Sequence, residues 1–301
     1  MSELFGVGAA LLGSLLGGTA AAATRYAVSA IDPLGLAMLR YAIGALCLVP
    51  FALHSLRKLE NSRDLLATVG LGVMFFALYP FLFALSLAHT TAARGSLVLS
   101  TMPLLTLAFA ILLRRESFSW RRFAGIALAV GGLAYALSPR LEGSASAAGK
   151  GDLIMIAATC VQAVYNVLSR PYIQRIGPLP FTALAMCVGA LVLVAFSAGS
   201  GIFQALPTLG AAAWAAIVYL GVFGCALLWV LWSIGIRFAS PSLVAMTVTV
   251  NALTASFLGA LFLSEPVGHE FIVGLLAVSL GIAVAANVLA WTRSRNHILS
   301  S

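Results

Sequence analysis

The sequence predicts an all-α polytopic membrane protein: ten transmembrane helices arranged as two inverted five-helix repeats around a central cavity. Three observations predict it. Of 301 residues, 61% are hydrophobic and only 9% charged, with mean hydropathy +1.05, whereas a water-soluble chain carries about 25% charged residues. The apolar residues fall into ten runs, and the two halves of the chain match each other at nearly constant offsets.

A membrane-crossing helix needs about 20 mostly apolar residues. Cutting at charge, proline and glycine punctuation gives runs at 4–24, 33–53, 66–87, 92–113, 120–138, 151–169, 178–200, 211–234, 240–263 and 270–291. The first run reads as a retained helix, because only Met1-Ser2-Glu3 precedes it and it exceeds a usual signal-peptide core. Basic residues set the orientation. Arg57, Lys58, Arg63, Arg114, Arg115, Arg121, Arg122, Arg170, Arg175, Arg237, Arg293 and Arg295 fall on one side; Arg25, Arg140 and Lys150 fall on the other. That bias predicts a multi-pass protein of a bacterial inner (plasma) membrane with both termini cytoplasmic. Trp120 and Trp291 flank basic clusters, as interfacial aromatics do.

A shift of 145 residues lays Ile31-Asp32-Pro33-Leu34 on Ile176-Gly177-Pro178-Leu179, Gly44 on Gly189 and Arg25 on Arg170. From the third run the shift is 149, matching Leu71-Gly72-Val73 to Leu220-Gly221-Val222, Glu116 to Glu265, and Gly125 and Gly132 to Gly274 and Gly281. The expected domains are therefore 1–140 and 150–292. Five crossings is an odd number, so the second copy enters the membrane upside down. Inverted repeats are the construction of secondary transporters, with substrate near the midplane; a duplication kept only for packing is the competing reading.

These features resemble the EamA domains of the drug/metabolite transporter superfamily. The resemblance rests on the two five-helix repeats, on Leu39-Arg40-Tyr41, and on each half's glutamate before a glycine-punctuated helix: Glu116 with Gly125, Gly131 and Gly132, and Glu265-Pro266 with Gly274 and Gly281. Within the superfamily the chain is most similar to the YddG-type amino acid exporters. The second half departs by placing Ala185 where the first has Arg40, so that arginine's role is not symmetric. The resemblance implies a transporter, not an enzyme, that exports amino acids, neutral or aromatic and with broad specificity.

Candidate substrate-binding residues come from polar and aromatic positions inside the runs, where such groups are costly unless they face a cavity or another helix. Thr159, Gln162, Asn166 and Ser169 share one helix face beside Tyr165, and Thr247, Asn251 and Thr254 form a second stripe. Their amide and hydroxyl groups suit a zwitterion's ammonium and carboxylate, or equally an interhelical hydrogen bond. Phe75, Phe76 and Tyr79 precede Pro80, and Trp229 and Trp232 occupy the matching stretch; these rings read as cavity walls or as core. Arg40, about 7 residues and so roughly 10 Å inside its run, either snorkels or captures a substrate carboxylate. Pro80 and Pro103 are candidate hinges or static kinks. Ala9, Gly13, Gly17 and Ala21, with Ala10, Ser14, Gly18 and Ala22 alongside, make a small-residue ridge for close packing or for a bulky substrate. Glu116 and Glu265 read as caps at turns.

Absences narrow the function. No Asp or Glu lies near the centre of a run, and His54, His89, His269 and His297 lie in connections or at helix ends. Facilitated transport is therefore simpler than proton coupling. No cofactor or metal is expected: both lysines lie outside the runs, and no buried nucleophile–base pair is visible. The net charge of +8 is dispersed between apolar runs, which argues against nucleic acid. The expected partners are the lipid bilayer and a small-molecule substrate, and the expected state is a monomer. Efflux of hydrophobic drugs and a non-transporting membrane scaffold remain as alternatives.

Overall fold

A computed structural model describes residues 3–27, 31–56, 61–87, 89, 98–137, 149–197, 209–251, 253–254, 257 and 269–285, and among them every regular element is helical. The elements are α1 (Glu3–Ala27), α2 (Pro33–Leu56), α3 (Ser62–Val73), a π-helical segment π1 (Met74–Leu78) and α4 (Tyr79–Leu87). They continue with α5 (Met102–Leu112), α6 (Trp120–Leu137), α7 (Gly149–Ile176), α8 (Pro178–Ser197) and α9 (Ala211–Gly221). A second π segment, π2 (Val222–Leu227), leads into α10 (Leu228–Phe238), followed by α11 (Pro241–Met246) and α12 (His269–Ala285).

Among the described residues six helical rods are long and apolar enough to cross a membrane, with α3–π1–α4 and α9–π2–α10 each forming one rod. Between 44% and 56% of each crossing window is buried, so roughly half of every rod is left for lipid. The lipid half carries Leu46, Leu66, Leu191 and Phe196, all more than 60% exposed. Such a surface suits hydrocarbon, where every backbone polar group must be satisfied within its own helix.

Local chemistry explains where the helices begin and end. Asp32 Oδ2 accepts from the Gly35 N–H (2.8 Å) at the start of α2, and Asn61 Oδ1 accepts from the Arg63 N–H (3.0 Å) at the start of α3, both N-cap bonds. The sixth run continues as helix well past 169, through Arg170 and Pro171 to Ile176. Proline removes one hydrogen bond there but does not stop the helix. Termination comes at Gly177, whose φ of +102° is open to glycine without penalty. The eighth run likewise extends to Phe238 and the third begins at Ser62, because charged flanks stay helical into the headgroup layer. The fourth and ninth runs differ from continuous rods. A turn at Ser100–Thr101 precedes α5, and a turn at Thr247 separates α11 from residues 248–251. Arg140, Glu265 and Pro266 lie outside the described residues.

Packing pairs the helices in a definite pattern. α1 lies on α9 and α10, and α7 lies on α3 and α4. α2 packs on α8, π1 on α8, and π2 on α2; α5 touches α7, α11 touches α1, and α6 lies along α12. Small residues permit these approaches. Gly13 faces the Leu228 carbonyl, while Gly17 and Gly18 receive Asn251 and Thr254. The small-residue ridge of α1 is thus a packing surface at these positions.

Candidate functional site

The centre of the bundle is an aromatic cluster held by three rods. Phe75, in π1, lies between two tyrosines: its ring stacks on Tyr79 (5.2 Å between centroids) and on Tyr165 of α7 (4.1 Å, interplanar angle 15°). Trp229 of α10 meets Phe75 edge-on at 4.7 Å and Trp232 at 5.9 Å. Phe76 adds further edge contacts to Tyr41, Tyr165 and Trp229. Such offset and T-shaped pairs are favoured by the ring quadrupoles.

Polar groups border this cluster. Trp232 donates from Nε1 to Asn166 Oδ1 (3.0 Å), and Asn166 Nδ2 faces Met102 Sδ at 3.8 Å. Gln162 lies one turn away on the same face of α7, 2% exposed. Among the described residues its Oε1 has no hydrogen-bond partner, and Trp229 Nε1 lies by the Tyr41 hydroxyl without a well-formed bond. An orphan acceptor, with a desolvation cost of about 1–3 kcal/mol, and a weakly satisfied donor therefore lie buried around the rings. The hydroxyls of the same stripe differ: Thr159 bonds back to the Met155 carbonyl (2.7 Å), whereas Ser169 Oγ has no partner.

Sequence-predicted site residues thus divide into groups. Tyr79, Tyr165, Trp229, Gln162 and Asn166 come together at the centre. Thr247 belongs to a different contact, where its hydroxyl donates to the Val244 carbonyl (2.8 Å) and lies 2.9 Å from Ser14 Oγ of α1. Asn251 packs on Gly17 of α1, and no hydrogen bond joins it to Gln162 or Asn166. Pro103 occupies the first turn of α5 after the Ser100–Thr101 break, not the interior of a continuous helix. Pro80 is the second residue of α4, after Tyr79.

Arg40 is half-buried and reaches sideways to the neighbouring rod. Its Nε donates to Cys225 Sγ (3.2 Å) and its Nη2 to the Gly224 carbonyl (3.3 Å), both in π2. Its guanidinium also lies 5.5 Å from the centroid of the Tyr41 ring. A membrane-embedded arginine costs roughly 3 kcal/mol on insertion scales, so its placement is informative. No signal in the apolar run around Cys225 marks it as the arginine's neighbour.

The sequence reading also missed the reach of Glu116. Its side chain is 3% exposed and accepts from the Ser242 N–H (3.1 Å) and the Ser242 hydroxyl (2.6 Å) at the start of α11. Arg122 pairs with it at 3.3 Å. Glutamate caps the first turn of a helix 126 residues away, where the exposed N–H groups favour an anion.

Fold and site together define a helical multi-pass membrane protein with a polar-edged aromatic centre. The chain belongs to the EamA-like transporter family of the drug/metabolite transporter superfamily: the family's sequence profile matches residues 4–138 and again 149–287. It is similar to the uncharacterized transporter YyaM of Bacillus subtilis, 24% identical over 88% of each chain. It is also similar to an uncharacterized transporter of Archaeoglobus fulgidus, 23% identical over 89% of this chain and 93% of that one. A solved crystal structure shares the fold at a TM-score of 0.78, with 20% identity over 94% of this chain and 96% of its own.

Proposed function

We propose that this transporter exports amino acids, neutral or aromatic and with broad specificity, across the inner membrane by alternating access. The observation that carries the reading is the buried Gln162 Oε1, unpartnered among the described residues, together with Trp229 Nε1, which makes no well-formed bond, around the Phe75–Tyr79–Tyr165 stack. An amino acid supplies a carboxylate acceptor for the indole N–H and an ammonium donor for the amide oxygen. Its side chain inserts among the rings. Asn166 and Arg40 border the same centre, while Thr247 and Asn251 hold the rod that would move against α1.

Two inverted repeats, 1–140 and 150–292, are the moving bodies in this reading. Its support is internal symmetry. Exchanging α1 with α7, α2 with α8, α3–π1–α4 with α9–π2–α10, and α5 with the segment opened by α11 returns the packing pairs named above onto themselves, while α7 meets α8 and α10 more than α1 meets α2 and α4. The two π segments also fall at matching positions of the halves, 74–78 and 222–227. Pro80 and Pro103, next to π1 and to the break before α5, are the places for a hinge. Both termini are cytoplasmic, and one chain suffices for a central pathway.

Counterflow in proteoliposomes tests the reading. Vesicles preloaded with phenylalanine should take up labelled phenylalanine, with other neutral amino acids competing and hydrophobic cations not. Trp229→Phe, which keeps a ring and removes the N–H, and Gln162→Leu should each lower uptake about tenfold. Competition by hydrophobic cations alone would replace amino acid export with drug efflux. Absence of any counterflow, with a cysteine at Asn251 unreactive from both sides, would point to a scaffold.

A further inference from the structure

We infer that Arg40 is a built-in anion anchor, so that the carboxylate is the part of the substrate this transporter requires. The inference rests on the amino acid reading above and moves the carboxylate's main contact from the Trp229 N–H to Arg40. Its basis is a comparison that the molecule makes with itself.

In the first half, α2 packs on π2 and the end of α9. A Cβ added at Gly44 would lie 3.0 Å from the Cys225 Cβ and 3.1 Å from the Gly221 carbonyl. One added at Gly221 would lie 3.2 Å from the Arg40 carbonyl. In the second half, α8 packs on π1 and the end of α3 in the same way. Gly189 meets the Phe76 Cβ and the Gly72 carbonyl, and Gly72 meets the Ala185 carbonyl. Gly44 and Gly189, Gly221 and Gly72, and Arg40 and Ala185 are matched positions of the two repeats. The backbone contacts therefore recur, and the π segment forms in both, while one position carries a guanidinium and the other a methyl group. The positions that match Gly224 and Cys225 in the other half are Phe75 and Phe76, both fully buried, so rings fill there the space that the arginine stem fills here, and the packing does not call for its charge.

Nor does the structure neutralise it. Among the described residues no carboxylate pairs with Arg40; its hydrogen bonds go to a thiol and, at 3.3 Å, to one carbonyl. A guanidinium has five N–H donors in a planar fork suited to two-point binding of a carboxylate, and Arg40 retains accessible surface. It is also continuous with the aromatic centre. Its guanidinium faces Tyr41, Tyr41 meets Phe76, and Phe76 meets Phe75 and Trp229. Tyr79 lies within electrostatic reach as well. A carboxylate held at Arg40 would leave an attached ring directed toward that cluster. The anchor therefore predicts that decarboxylated amines are poor substrates even when their rings fit.

Binding to the full chain in nanodiscs, read by tryptophan fluorescence and by shift of the melting midpoint, tests this with three probes. Phenylalanine carries both charges, phenylacetate only the carboxylate, and phenethylamine only the ammonium. Wild type should bind the two carboxylates and bind phenethylamine at least tenfold more weakly. Arg40→Ala should still fold, with a lower melting midpoint without ligand from the space its stem leaves against Gly224 and Cys225. It should lose carboxylate affinity roughly 30-fold or more, and Arg40→Lys should keep part of it. Phenethylamine binding as tightly as phenylalanine, or phenylalanine binding unchanged in Arg40→Ala, would overturn the anchor while leaving amino acid transport standing. Arg40-dependent binding of phenylacetate without phenylalanine would overturn the amino acid reading and keep the anchor. Should Arg40→Ala fail to fold, the packing argument falls, and the wild-type series alone decides the carboxylate requirement. Failure of every carboxylate to bind wild type overturns the inference.

Discussion

Glu116 stands in a short connection, yet its carboxylate closes two donors of Ser242 and pairs with Arg122 while almost fully buried. Removing it strands a backbone N–H and a hydroxyl at a helix start, while Arg122 keeps Glu3 at 3.8 Å. Glu116→Ala should therefore destabilise the protein by about 2 kcal/mol, seen as a lower melting midpoint in detergent. Ser242→Ala keeps the backbone bond and should cost only about 1 kcal/mol. An unchanged midpoint for Glu116→Ala would show the cap to be dispensable. A glutamate before a glycine-punctuated helix was visible in the sequence, but its partner was not, because a cap across 126 positions has no local signature. Gln162 and Asn166 show the same divide. Their shared helix face follows from spacing, whereas the satisfaction of Asn166 by Trp232 and the orphan state of Gln162 Oε1 depend on which rod lies opposite.

At the scale of elements, the π segments set the geometry of the centre. Proline does not explain them, for π1 precedes Pro80 but π2 forms in a stretch without proline. Both instead follow a glycine, Gly72 or Gly221, pressed against the backbone of the neighbouring rod. Substitutions along these contacts should grade by clearance. Gly70 has nothing within 4 Å of an added Cβ, so Gly70→Ala should match wild type or gain up to about 1 kcal/mol from helix propensity. Gly44→Ala meets atoms at 3.0–3.1 Å and should be mildly destabilising. Gly189→Ala collides with the Gly72 carbonyl at 2.8 Å and with the backbone of Phe76. It should sharply reduce the monodisperse fraction on size-exclusion chromatography. Equal behaviour of all three would remove close backbone approach as the constraint.

For the molecule as a whole, the charges lie at its ends and Arg40 is the exception. With no carboxylate or histidine near the middle of any apolar run, a proton has no obvious resting place along the route. Downhill efflux of amino acid from proteoliposomes should therefore persist after the proton gradient is collapsed. Strict dependence on that gradient would sink the facilitated mechanism and direct attention to another coupling group.

The membrane class and the six crossing rods were legible in the sequence, because each rests on composition or on period, and both are local or additive quantities. Gly177 as the true end of α7 was less legible, since helix continuation through Arg170 and Pro171 depends on where the headgroup layer falls. The partition of the candidate residues was decided only in three dimensions. Tyr79, Tyr165 and Trp229 converge because three rods cross there, while Thr247 and Asn251 turn to α1 because Ser14 and Gly17 receive them. Spacing along a helix specifies a face; the identity of the helix that covers that face is a tertiary fact.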